Sequence, residues 1–126
     1  FIVSLMKDYK VKEVAYDPAF FERSAQVLLD RGVPMVNFPQ THSRMIPACG
    51  NAYDLIANTK VRHNGDPTFT DQVMSAAQRT TDMGWRLSKG RSKRKIDGAI
   101  AMVLMLDRIT APDPLDDEPE VAIINL

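Results

Sequence analysis

Residues 89–109 read KGRSKRKIDGAIAMVLMLDRI, and the reading of this stretch decides the fold. Lys89, Arg91, Lys93, Arg94 and Lys95 place five positive charges in a short loop. An apolar run follows at once, with no polar residue from 99 to 106. A helix apolar on nearly every side belongs in a core rather than on an amphipathic surface. One carboxylate, Asp97, stands in the first turn of that helix, at its mouth. The expectation is a core packed around this helix, and the question is what Asp97 faces.

Working outward, the chain has 126 residues, of which 44% are hydrophobic. That is enough for one domain with a real core. The formal net charge is zero, but the loop at 89–95 is basic and the tail is acidic at Asp113, Asp116, Asp117, Glu118 and Glu120. Local potential, not net charge, then selects partners. Cys49 is the single cysteine, which excludes an intrachain disulfide and fits a reducing compartment. No apolar run approaches the roughly 20 residues that cross a bilayer, so no membrane partner is expected. The chain shows no signal peptide and opens mid-pattern, as a fragment does. Residues 1–110 read as one domain and residues 111–126 as an acidic, Pro-containing tail.

The pattern predicts a helix over residues 1–9, then a strand over 11–16 (VKEVAY) closed by Asp17-Pro18. Asp as N-cap with Pro at the first helical position opens the next helix. Phe20, Phe21, Ala25, Leu28 and Leu29 lie on or near one face of it, and Gly32 stops it. A second strand (VPMVNF, residues 33–38) precedes a helix over 41–58 that Pro47 and Gly50 make irregular. Residues 61–67 (VRHNGDP) form a loop, residues 69–82 a further helix and residues 85–88 a short extended segment. Strands alternating with helices give an α/β fold with a thin, mostly parallel sheet packed by helices.

Asp17 closes the first strand, and sites in open α/β sheets gather beyond the C-terminal strand ends. Together with Asp97 it would offer the hard oxygen ligands that Mg²⁺ takes, one or two carboxylates completed by water and phosphate. Each residue also has a plainer reading. Asp17 can simply cap its helix, a role compatible with metal binding. Asp97 can simply complement the helix dipole. The cationic loop can be solvated surface, and His63 a residue of an Asn-Gly turn.

Three blocks in order resemble the C-terminal nuclease domain of the large terminase subunit of tailed bacteriophages: VKEVAYDPAF, VRHNGDPTFTDQVMSAAQR and KGRSKRKIDGAIAMVLML. The resemblance implies an incomplete ribonuclease H-like fold and a metal-dependent endonuclease that cuts concatemeric double-stranded viral DNA. It implies that Asp17 and Asp97 are catalytic metal ligands for Mg²⁺ or Mn²⁺, of the two-metal type in the complete domain. In such sites two ions about 3.5–4 Å apart clamp the attacking and leaving oxygens. The basic loop (Lys89, Arg91, Lys93, Arg94, Lys95) would hold DNA phosphates, while His63 sits in a family-like loop without an assigned role. Implied partners are an N-terminal ATPase domain, the small terminase subunit and the portal, in the cytoplasm of the bacterial host. The chain departs from the family in lacking a match to an aspartate on the first strand of the sheet, the opening strands and the GxxxxGK[ST] loop. It therefore reads as a distal fragment, weak or inactive alone, with a strand edge open to self-association. Two other readings compete: a resolvase or transposase-type nuclease of the same fold, and a non-catalytic DNA-binding or assembly module.

Overall fold

The computed structural model describes residues 1–88, 90, 94–111 and 123–124. The chain divides into two compact units, residues 1–41 and 42–126. In the first, α1 (Ile2–Asp8) leads to β1 (Val14–Tyr16), α2 (Pro18–Leu29) and β2 (Met35–Asn37). Strands β1 and β2 run parallel, Val14 opposite Met35 and Tyr16 opposite Asn37. A parallel pair needs a crossover, and α2 supplies it. The helix starts where Asp-Pro predicts, and Gly32 follows it at φ 79°, the left-handed conformation that glycine adopts without a Cβ clash. Ala25, Val33 and Phe38 are buried.

The predicted apolar face of α2 needs correction. Phe20 is wholly exposed, and Phe21 and Leu29 are partly so, at 38% and 43%; of the five residues expected on that face only Ala25 is buried. At the head of a helix, apolar periodicity does not ensure a neighbour to pack on. Strand β1 is ladder-bonded to β2 in a two-stranded sheet, so its other edge is unpaired among the described residues.

The second unit holds α3 (His42–Ala57), β3 (Arg62–His63), α4 (Pro67–Ser75), β4 (Ala77–Thr81), β5 (Gly84–Ser88), α5 (Asp97–Thr110) and β6 (Ile123–Ile124). Its core lies between α3 and α5. Met45, Ala48, Cys49 and Ala52 meet Ala99, Met102, Val103, Leu104 and Leu106, all buried. Burying a side chain of Leu or Val size contributes roughly 1.5–3 kcal/mol each, before entropy is set against it. Polar tethers fix the pairing further: Asn51 Nδ2 donates to Thr110 Oγ1 (2.6 Å), and Arg44 pairs with Asp107 (2.9 Å). Helix α5 stops at Ala111, which is extended (ψ 129°) ahead of Pro112, as a residue before proline prefers.

Two expectations fail here. The helix predicted over residues 69–82 ends at Ser75. Residues 77–81 form the first strand of an antiparallel hairpin, with Gln78 opposite Leu87, Arg79 opposite Arg86 and Thr80 opposite Trp85. The alanine pair Ala76–Ala77 favours helix locally, but pairing with β5 overrides propensity. The sheet is also not a single thin, mostly parallel one. Among the described residues there are three two-stranded sheets: parallel β1–β2, parallel β3–β6 and antiparallel β4–β5. Strand β6 falls within the predicted tail, most of which lies outside the described residues.

Candidate functional site

Asp17 and Asp97 both stand at helix starts, but their side chains are engaged differently. Asp17 is the N-cap of α2, extended at φ −82° and ψ 120°, and its Oδ1 accepts from Ala19 N–H at 3.1 Å. This satisfies one of the orphan donors at the helix head. The sequence reading of Asp17 as a cap therefore stands. Its second oxygen has no hydrogen bond among the described residues.

Asp97 is the first residue of α5 and is solvent-exposed. The N-cap position falls on Ile96, which has no side-chain acceptor and turns inward instead, 4% exposed. The first helical bond at this end runs from Ile100 N–H to Ile96 O, so the amides at 97–99 need partners from elsewhere. Gly98 N–H finds one in α4, donating to Gln72 Oε1 at 2.6 Å. The approach is close: a Cβ on Gly98 would lie 3.0 Å from Gln72 Oε1 and 3.3 Å from Phe69 Cδ2. Next to Gln72 on α4, Asp71 pairs with Arg94. No hydrogen bond or ion pair engages the Asp97 carboxylate among the described residues.

Helix α4 is held in turn by the loop before it. Asp66 Oδ1 accepts from Phe69 N–H at 2.7 Å, capping α4 with Pro67 at its first position. Asn64 Oδ1 accepts from Asp66 N–H (3.1 Å), and His63 Nδ1 accepts from Gly65 N–H (3.1 Å). The His63 ring stands edge-on to Phe69, centroids 5.5 Å apart. The loop expected over residues 61–67 is corrected at both ends: Arg62–His63 form β3 and Asp66-Pro67 open α4, which leaves Asn64 and Gly65 as the turn; His63 packs on Phe69, which lies close to Gly98 at the head of α5.

Of the predicted phosphate-binding loop, Lys89, Arg91 and Lys93 lie outside the described residues. Arg94 and Lys95 are exposed. Arg94 is not a free cation, since Asp71 engages it, but both side chains are more than half exposed and such a pair contributes little. Among the described residues no three His, Cys, Asp or Glu side chains cluster as a metal cage. The donor chemistry at Asp17 and Asp97 suits Mg²⁺ or Mn²⁺, which take few protein carboxylates and complete the shell with water and phosphate; it does not suit a closed zinc site.

The second unit also has an apolar cavity of about 110 Å³, lined by Cys49, Tyr53, Val73, Trp85, Leu87 and Met102 among others. Burial there pushes the Cys49 thiol pKa up, against the lowering effects of the Leu87 amide and Arg86. This chemistry does not suit a phosphodiester. Gln72 and Gly98 were not predicted as site residues. No local pattern marks them, because the bond that joins them spans 26 residues of sequence.

Three comparisons bear on identity. A model of the terminase large subunit endonuclease domain family matches residues 1–113. Among solved structures, the crystal structure of the HK97 bacteriophage large terminase matches with a TM-score of 0.75 at 25% identity, over 85% of this chain. The match spans 23% of that protein, so this chain corresponds to about a quarter of its length. No curated protein matches. No helix among the described residues is long and apolar enough to cross a membrane.

Proposed function

Because the chain belongs to the terminase large subunit endonuclease domain family, we propose that it contributes metal-binding carboxylates to an endonuclease that cuts concatemeric double-stranded DNA during phage packaging. The observation that carries this reading is the family match, which includes both Asp17 and Asp97. A bound Mg²⁺ or Mn²⁺ would supply Lewis-acid stabilisation of the phosphodiester oxygens. Asp97 offers it a carboxylate that is unengaged among the described residues, at the head of a helix with a buried face. Asp17 offers the oxygen not used in capping α2. Neither residue would move a proton; each would serve as a metal ligand. Arg94, Lys95 and the rest of the basic loop bind the neighbouring phosphates. The ribonuclease H-like sheet, the ATPase domain, the small subunit and portal as partners, and the host cytoplasm as location belong to this same proposal.

Mn²⁺ titration of the chain tests it. Asp97→Asn should abolish Mn²⁺ binding while the circular dichroism spectrum stays that of the parent. A mutant that binds Mn²⁺ as well as the parent would remove Asp97 from the site. The observed cap bond favours a second reading, in which Asp17 is structural only and the chain is a non-catalytic module. Asp17→Asn decides between the two. Asparagine still caps a helix but carries no charge, so metal binding falls with unchanged stability only if Asp17 is a ligand.

A further inference from the structure

Within the second unit, the chain around Asp97 is tethered on both sides by two consecutive residues of α4. Asp71 pairs with Arg94, three residues before Asp97, and Gln72 accepts from Gly98 N–H, one residue after it. The two tethers differ in kind. The Arg94 pair is exposed, 66% and 51% for the two side chains, and holds loosely. The Gln72 bond is part-buried and satisfies an amide that has no acceptor in its own helix.

Helices commonly solve this problem locally, with the side chain of the N-cap residue. Both α2 and α4 do so, through Asp17 and Asp66. Helix α5 does not. Its N-cap position is an isoleucine in the core, and the acceptor comes from another helix. Had Asp97 itself supplied the cap, its carboxylate would be engaged by backbone amides. With Gln72 in that role, neither of its oxygens is engaged among the described residues. Gly98 makes this possible, because it lets α4 come close enough for the amide of Gln72 to reach the backbone. Phe69, backed by His63, covers the same glycine from one turn earlier in α4.

We infer that Gln72 is a positioning residue for Asp97: it caps the head of α5 from α4, fixes the turn that carries the carboxylate and leaves that carboxylate free for a divalent cation. The inference rests on the reading of Asp97 as a metal ligand. It gives the His-Asn-Gly-Asp-Pro loop and α4 a shared purpose, to hold the first turn of α5, and it makes His63 a buttress rather than a ligand.

The test is Mn²⁺ binding by the 126-residue chain, followed by the loss of the free Mn²⁺ spin-resonance signal, at a temperature where every variant is folded. Gln72→Met keeps the length and removes the acceptor. Its Mn²⁺ dissociation constant should rise about tenfold, the low end of what outer-shell partners contribute. Gln72→Glu keeps the acceptor and should bind at least as well as the parent. Asp71→Asn breaks only the exposed pair and should leave binding unchanged. A Gln72→Met protein that binds Mn²⁺ like the parent, while Asp97→Asn does not, overturns the inference and spares the reading of the site. Equal losses in Gln72→Met and Gln72→Glu overturn it as well. If Asp97→Asn binds like the parent, the site reading falls and the inference with it. Hydrogen exchange in the unmutated chain gives a check that needs no variant. The Gly98 amide should be protected despite its place in the first turn, and rapid exchange there would overturn the cap.

Discussion

Helices α2 and α5 each begin beside an aspartate and solve the same start problem in opposite ways. Helix α2 is capped by its own Asp17 and buries one residue, Ala25. Helix α5 borrows its cap from Gln72 and buries five. In α2 the carboxylate is part of the helix; in α5 it is a passenger on a helix held by other means. The difference separates two ways of seating a carboxylate at a helix start: with one oxygen committed to the cap, as in Asp17, or with the cap supplied by another helix, as beside Asp97.

Three substitutions press on that contrast, and their expected effects decrease in order. Leu106→Ala removes a fully buried side chain from the α3–α5 core. It should lower unfolding free energy by about 2–5 kcal/mol in urea titration, as large-to-small core changes do. A smaller loss would mean that α5 is less firmly packed than its burial indicates. Asp17→Ala removes the α2 cap and should cost about 1 kcal/mol by the same measurement. Asp97→Asn should change stability by no more than about 0.5 kcal/mol, the scale of a surface substitution with no structural role. If Asp97→Asn instead destabilises as much as Asp17→Ala, the two aspartates do the same work and the contrast collapses.

Much of this was readable from residues alone. Asp17-Pro18 announces a helix start, and Asp17 does cap; Asp66-Pro67 reads as loop by the same local chemistry, yet Asp66 caps α4 in the same way. The apolar run after Asp97 announces the central helix. What escaped depends on groups distant in sequence. Strand β5 coincides with the extended segment expected over residues 85–88, but β4 reads as helix because Ala76, Ala77 and Gln78 favour helix and only cross-strand pairing opposes it. Phe20 was placed on a packed face because periodicity shows which residues share a side, not whether anything lies against them. Gln72 stayed silent because a cap supplied from another helix leaves no signature in the helix it caps. The placement of Asp97 in the first turn was legible; the device that frees its side chain was not.

The hairpin register has its own consequence. Arg79 and Arg86 stand directly opposite each other across β4 and β5, and Arg86 Nε is buried without a hydrogen-bond partner among the described residues. Like charges in such a pair repel, and mobile counter-ions damp the repulsion within about 10 Å at 0.1 M ionic strength. Dilute buffer therefore loosens this hairpin and added electrolyte firms it, the reverse of what electrolyte does to the exposed Arg94–Asp71 pair nearby in the same unit.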